Sequence, residues 1–430
     1  MDVVVIGGGI VGCSVALELS RRGHSVHVVE RAPGPGLGST SASSTIVRFH
    51  YSTWAGVAVA WEARAGWLDW TEHVQVPPTA AARLMVTGCL VLDAPAFDTG
   101  EILALLREAQ VPCERWDAEE IRRHTPAISP DRFWPPKKVT DEEFWTPPTG
   151  ELSGFFTSDA GFVNDPQLAA QNLREAAERH GAQFSFQAQV IAVPQKAGRV
   201  LGVDLADGTR LRASVVINAA GPHSGYVNTL AHVLGDFART TRPMRQEVHS
   251  LPATKDYNLD DPRSPVVNDM DLGIYFRPHF GNSIIVGGME PACDELMWID
   301  DPDQFNPAPT APVWEAQTLR LARRLPSLGI PPRPSGIANL YDVTPDWIPI
   351  YDKTALSGFY VAIGTSGNQF KNTPILGYLM AELVEYTENG ADPDETPLHV
   401  RLPRTGLMVD LSHYSRRRAL TSQSSFSVMG

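Results

Sequence analysis

The stretch Asp2-Val3-Val4-Val5-Ile6-Gly7-Gly8-Gly9-Ile10-Val11-Gly12-Cys13-Ser14-Val15-Ala16-Leu17 decides the fold. Val3 to Ile6 is an apolar, mostly β-branched run, as a buried strand requires. Gly7, Gly9 and Gly12 follow at the G-x-G-x-x-G spacing, and Cys13 to Arg22 continue with helical periodicity. A turn at Gly23 leads to a second strand, Val26 to Val29, which ends in Glu30. Each glycine has a task. Gly7 permits the tight turn off the strand, Gly9 lets backbone approach a pyrophosphate, and Gly12 lets the helix lie close to the sheet. The helix N-terminus offers free N–H groups to phosphate oxygens, and Glu30 stands where an acid bonds a ribose hydroxyl. The motif with a strand before it, a helix after it and an acid closing the next strand points to a bound dinucleotide. Its expected contacts are Gly7, Gly9, Ile10, Val11, Gly12, Glu30 and Arg31.

Composition narrows the class. The 430 residues are enough for two domains, and 43% hydrophobic with 20% charged residues is ordinary for a globular protein. A formal net charge of -13 argues against nucleic acid or an anionic membrane as partner, without excluding an anionic small molecule. Cys13, Cys89, Cys113 and Cys293 show neither a C-x-x-C pair nor metal-ligand spacing, so no metal is expected. The first strand begins at residue 2 and no apolar run reaches membrane-span length, so a cytoplasmic protein without signal peptide is expected.

After Glu30, small residues with repeated Gly and Pro exclude a regular element and can thread past a flat cofactor; Ser39, Ser44 and Thr45 are the candidate contacts. Residues 54–75 read as one helix, and 131–153 as a long surface loop. Asp165 and Pro166 read as N-cap and first residue of a helix ending at Gly181. Strands are expected at 184–193, 200–205 and 210–212, then a central parallel strand, Val215 to Ala220, running into Gly221. Longer strands at 245–251, 272–278 and 283–289 read as antiparallel. The pattern returns to the nucleotide-binding style with a strand at 358–363, the turn Gly364-Thr-Ser-Gly367 and a helix from about Pro374 to Asn389. The serine-rich stretch from 412, with Arg416-Arg-Arg418, reads as a frayed tail.

This interrupted layout resembles the D-amino-acid oxidase superfamily of FAD enzymes, in particular its sarcosine oxidase and dimethylglycine dehydrogenase branch. The resemblance spans the chain to about residue 390 and rests on Val3–Glu30, Ser44–Tyr51, Val215–Gly221 and Asn339–Lys371. Thr344-Pro-Asp346 followed by Gly364-Thr-Ser-Gly-Asn-Gln-Phe-Lys371 is its most specific part. It implies an α/β plus antiparallel-β fold: a Rossmann-like FAD-binding domain of glutathione-reductase type (residues 1–80, 155–235 and 340–395) interleaved with an antiparallel-sheet substrate domain (81–154 and 236–339), and a C-terminal tail (396–430). FAD contacts are then expected from Val190, Ala220 and Gly221, and at the flavin edge from Gly364, Ser366, Gly367, Asn368, Gln369 and Lys371.

The resemblance also implies a small amino acid as substrate, secondary or N-methylated, oxidised at its C–N bond to an imine, with oxygen or another compound accepting the electrons. Arg48 and Lys371 map onto the family's carboxylate-binding cations, a fork and a point charge. His279, Tyr275 and Tyr51 are further candidates. Two departures stand out. Asn339 replaces the cysteine that tethers FAD in some members, and His24 and His50 lie outside the family's histidine motif, so non-covalent FAD is expected. Tyr275 stands where monomeric sarcosine oxidases carry an oxygen-activating lysine, which leaves a dehydrogenase open. Alternatives are a 2-hydroxy acid or secondary-metabolite intermediate as substrate, or a flavin subunit of a hetero-oligomeric amine oxidoreductase.

Overall fold

The computed structural model describes residues 1–95, 98–420, 424 and 427–429. Its six-stranded sheet is built on β1 (Asp2–Ile6) and β2 (Ser25–Val29), which pair in parallel. Outward from β1 lie Val215–Asn218, Phe359–Ile363 and the antiparallel edge strand Ile350–Lys353; outward from β2 lies Gln183–Ser185. Strands far apart in the chain therefore form one sheet, as an apolar run buried on both faces predicts for Val215–Asn218. Val3, Val4 and Val5 are each at most 2% exposed, and full burial of such a side chain contributes about 1.5–3 kcal/mol.

Between β1 and β2 runs α1 (Ile10–Arg21). A Cβ on Gly12 would lie 1.9 Å from the Gly7 carbonyl oxygen, so only glycine lets α1 come this close to the turn. Helix Thr373–Glu388 crosses α1 at Gly377, whose N–H donates to Ser14 Oγ (3.0 Å) while Ser14 Oγ donates to the Thr373 carbonyl (2.7 Å). Helix Pro166–Arg179 packs on α1 as well, and Asp165 caps it by accepting from Leu168 N–H at 2.9 Å. Asp165→Ala is expected to cost about 1 kcal/mol of stability, read as a lower denaturation midpoint, with cofactor binding unaffected.

The second large sheet has eight strands in the order Gly336–Val343, Arg242–Pro252, Ser283–Gly288, Ile274–His279, Val266–Asp269, Cys89–Leu92, Gly154–Thr157 and Glu114–Trp116. All neighbours are antiparallel except Val266–Asp269 with Cys89–Leu92. Among the described residues no helix is long and apolar enough to cross a membrane.

Three expectations need correction. The helix expected over 54–75 is two, Trp54–Leu68 and Trp70–Val74, broken at Asp69. The strand expected over 184–193 divides into Gln183–Ser185 and Val190–Ala192, in different sheets, because Gln187 takes a left-handed conformation (φ 55°) between them. The tail does not fray where it is described. Arg416, 1% exposed, reaches Asp236, Asp352 and Asp394, and Arg418 forks onto Asp346.

Candidate active site

A cavity of about 1100 Å³ runs from the C-terminal ends of β1 and β2 to the face of the eight-stranded sheet. This is where open α/β sheets bind ligands, outside the carboxyl ends of strands at a change of strand order. Gly7, Gly9, Ile10, Val11, Glu30 and Arg31 line one end; Ser39, Ser44 and Thr45 follow the wall, with Val190, Ala220 and Gly221 opposite; Gly367, Asn368, Gln369, Lys371, Arg48 and Tyr275 close the other end.

The dinucleotide end fits its expected occupant. Gly9, the N-cap of α1, supplies no side-chain cap; Thr40 Oγ1 takes the Ile10 N–H at 3.1 Å, and Ile10 and Val11 line the cavity at this helix N-terminus. Glu30 is held as an acceptor by Gly8 N–H and Ala32 N–H, both at 2.7 Å, and keeps lone pairs for sugar hydroxyls. Asp342 lines the cavity with Oδ2 accepting from Gly364 N–H at 2.6 Å, and the Thr241 and Ser224 hydroxyls stand beside its carboxyl. Burial pushes the Asp342 carboxyl up to about 7. Arg31 and His223 both meet Asp303, at 2.7 and 3.0 Å, tying the 299–305 segment over this end.

At the far end, the chain brings together two cations from opposite ends of the sequence. Arg48 Cζ and Lys371 Nζ each lie 4.8 Å from the centroid of the Tyr51 ring. Arg48 is 5% and Lys371 3% exposed. Neither meets a carboxylate among the described residues. Arg48 donates to the carbonyls of His50, Val428 (2.7 Å) and Met429 (2.8 Å), and Lys371 donates to the Asn368 carbonyl at 2.5 Å. Burial, and for Lys371 also the nearby Arg48, pushes both below their ordinary values. Two adjacent buried cations without an acid are costly for folding alone and mark a place for an anion.

Several candidates stand elsewhere than expected. Tyr51 lies behind the cations rather than on the wall, its hydroxyl donating to the Asn368 carbonyl (2.8 Å). His279 is off the wall, its Nδ1 3.1 Å from Arg277 Nη1, and burial with that guanidinium lowers it to about 4. Gly364 and Ser366 sit within the wall, where Ser366 N–H and Gly364 N–H both hold Asp342. Gly12 serves packing. His50 is buried and neutral, its Nε2 3.2 Å from Asn268 Nδ2, and His24 pairs with Glu385 at 2.9 Å. Sequence reading missed Thr40, whose Oγ1 accepts from Ile10 N–H (3.1 Å), and the cavity-lining Asn268, Asp342, Val428 and Met429. Thr40 and Asp342 carry a weak signal, since Thr40 lies within the small-residue run and Asp342 just before Thr344-Pro-Asp346.

A sheet of mostly parallel strands with a glycine turn at its helix N-terminus, joined through one cavity to an antiparallel sheet, defines a dinucleotide-dependent enzyme. Residues 2–383 match the family described as DAO, FAD dependent oxidoreductase, and the chain belongs to that family. It is an FAD-dependent oxidoreductase. It is 25% identical over 422 residues to a D-amino acid dehydrogenase of Methylobacterium sp. (strain 4-46), covering 89% of this chain and 95% of that protein. The fold is similar to L-proline dehydrogenase from P. horikoshii (TM-score 0.73, 21% identity, 96% of each chain). It is similar also to glycine oxidase from Geobacillus kaustophilus (TM-score 0.70, 20% identity, 92% of this chain and 97% of that one).

Proposed function

We propose that the enzyme oxidises the C–N bond of a small secondary or N-methylated amino acid to an imine, using non-covalently held FAD. The observation that carries this reading is the pair of buried cations, Arg48 and Lys371, on one Tyr51 ring at the cavity end remote from Glu30. FAD, when bound, takes up the hydride and so supplies the redox chemistry. The chain's own residues orient the substrate. Arg48 offers a planar fork and Lys371 a point charge, and a carboxylate between them restores the charge that burial withdraws from Lys371. Tyr275, a neutral phenol bonded to Ser44 Oγ at 2.7 Å, faces the cavity beside them. With no cation at position 275, an acceptor other than oxygen is favoured. Similar proteins named as dehydrogenases or oxidases of amino acids support the substrate class.

Non-covalent FAD is supported by the wall itself. Among the described residues no cysteine lines the cavity, and its histidine, His223, stands with Arg31 and Asp303 at the dinucleotide end. Anaerobic titration of the purified protein with sarcosine, proline, N-methylalanine and primary amino acids is expected to bleach the yellow flavin band. Acid precipitation is expected to leave the yellow colour in the supernatant. Reduction only by primary amino acids, only by 2-hydroxy acids tested alongside them, or by none of these compounds overturns the proposal.

A further inference from the structure

Within the cavity, residue Val428 is held as a free amino acid would be. Its carbonyl accepts from Arg48 Nη2 at 2.7 Å, and its N–H donates to Glu290 Oε2 at 3.0 Å. The N–Cα–C=O skeleton of one residue thus spans from the candidate carboxylate anchor to an acid. The Met429 carbonyl supplies a second oxygen to the same guanidinium nitrogen at 2.8 Å. The Val428 side chain packs on the apolar cluster of Met244, Val343 and Trp347, beside Trp298 and Tyr341.

Glu290 does not line the cavity while Val428 is in place; the Val428 N–H covers its Oε2. It follows strand Ser283–Gly288 in a left-handed conformation (φ 48°) immediately before Pro291, where the backbone ordinarily stays extended. Such strain persists where surrounding structure enforces it and gathers at functional sites. Its Oε1 accepts from Gln246 Nε2 at 2.9 Å, and no cation meets it among the described residues. Tyr275 and Tyr341 are the titratable side chains facing it, both neutral phenols held above their ordinary values by burial. Burial pushes the Glu290 carboxyl up to about 8, which suits a group that shares one proton with an amine.

We propose that Val428 occupies the substrate position, and that Glu290 is the binding residue for the substrate's amine, opposite Arg48 and Lys371. The claim rests on the amino-acid reading above and deepens it. A substrate ammonium gives its proton to Glu290 (the N–H bond breaks and an O–H bond forms), leaving the neutral amine whose lone pair the oxidation requires. Because the chain runs on from Val428 N to Ser427, the position accepts a substituent on nitrogen, as a secondary amine has. The apolar cluster around Val428 favours an uncharged side chain. The substrate must also displace Val428 and Met429 from Arg48, so the segment acts as an internal competitor.

The test is calorimetric binding, to the holoenzyme with its flavin kept reduced so that neither can be oxidised, of two probes that differ only in the nitrogen. N-methyl-2-aminoisobutyrate has a secondary amine and no α-hydrogen; 2,2-dimethylbutanoate has the same shape without the nitrogen. In Glu290→Gln the affinity ratio of the first to the second is expected to fall at least tenfold, with little change in affinity for the second beyond what the weakened internal competitor allows. An unchanged ratio overturns the proposal. A chain ending at Leu420 is expected to bind both probes several-fold more tightly, and no gain for either overturns the placement of Val428. The ratio is insensitive to how firmly the segment competes, since it displaces both probes alike. If the probes behave as expected but no amino acid reduces the flavin, the proposed reaction fails while the amine anchor stands.

Discussion

Replacing Arg48 by alanine is expected to lower kcat/KM for the amino-acid substrate about a thousandfold, about 4 kcal/mol of transition-state binding, with FAD content unchanged. The size follows from burial. At 5% exposure the guanidinium is desolvated, so a carboxylate that loses it has no water to turn to. The same burial sets the sign of the stability change. Arg48 is satisfied only by backbone carbonyls and meets no acid among the described residues, so its removal relieves the cost of burying a charge. The variant is therefore expected to melt at or above the wild-type temperature while failing to turn over. A structural arginine would give the opposite pairing, lost stability with retained kcat/KM. Anaerobic rapid-mixing kinetics and a thermal melt on one preparation distinguish the two.

How far the chain could be read in advance depended on whether the decisive contacts were local. The β1–α1–β2 unit is local: glycines, helix period and Glu30 fall within thirty residues, and each has a steric or electrostatic reason that holds without the rest of the chain. Arg48 and Lys371 were nominated only through resemblance, because nothing near either residue states that the two must meet; what joins them is the Tyr51 ring and the Asn368 carbonyl. Glu290 gave no sign beyond an acid between an apolar strand and a proline. The tail misled for a physical reason. Serine and arginine in sequence read as solvated chain, and only folding gathers Asp236, Asp352 and Asp394 around Arg416. Likewise, His279 had the right neighbours in sequence, but Arg277 holds its ring away from the cavity.

That gathering supports the second large expectation. Arg416→Ala is expected to destabilise the fold by about 3–5 kcal/mol, because it leaves three acids together without their shared cation. Lys353, on Asp394 at 3.3 Å, and the more exposed Arg417 compensate in part. The pH dependence has a definite sign. Arg416 holds the Asp236 and Asp394 carboxyls below their ordinary values, whereas burial raises Asp352. The stabilisation from the two depressed groups is therefore present above the unfolded carboxylate value, near 3.9, and is lost as pH falls through their lower folded values. In the variant the unshielded acids repel, so acidification relieves strain instead. The stability gap between wild type and variant should be widest near neutrality and narrow below about pH 4, as urea melts across that range would show. A gap that stays constant to pH 3 would mean that Arg416 contributes through packing alone. The same substitution bears on the cavity. Arg416 and Arg418 anchor the segment that carries Val428 and Met429 to Arg48, and loosening that anchor lowers the effective concentration of the internal competitor. Arg416→Ala should thus bind 2,2-dimethylbutanoate more tightly than wild type while being the less stable protein.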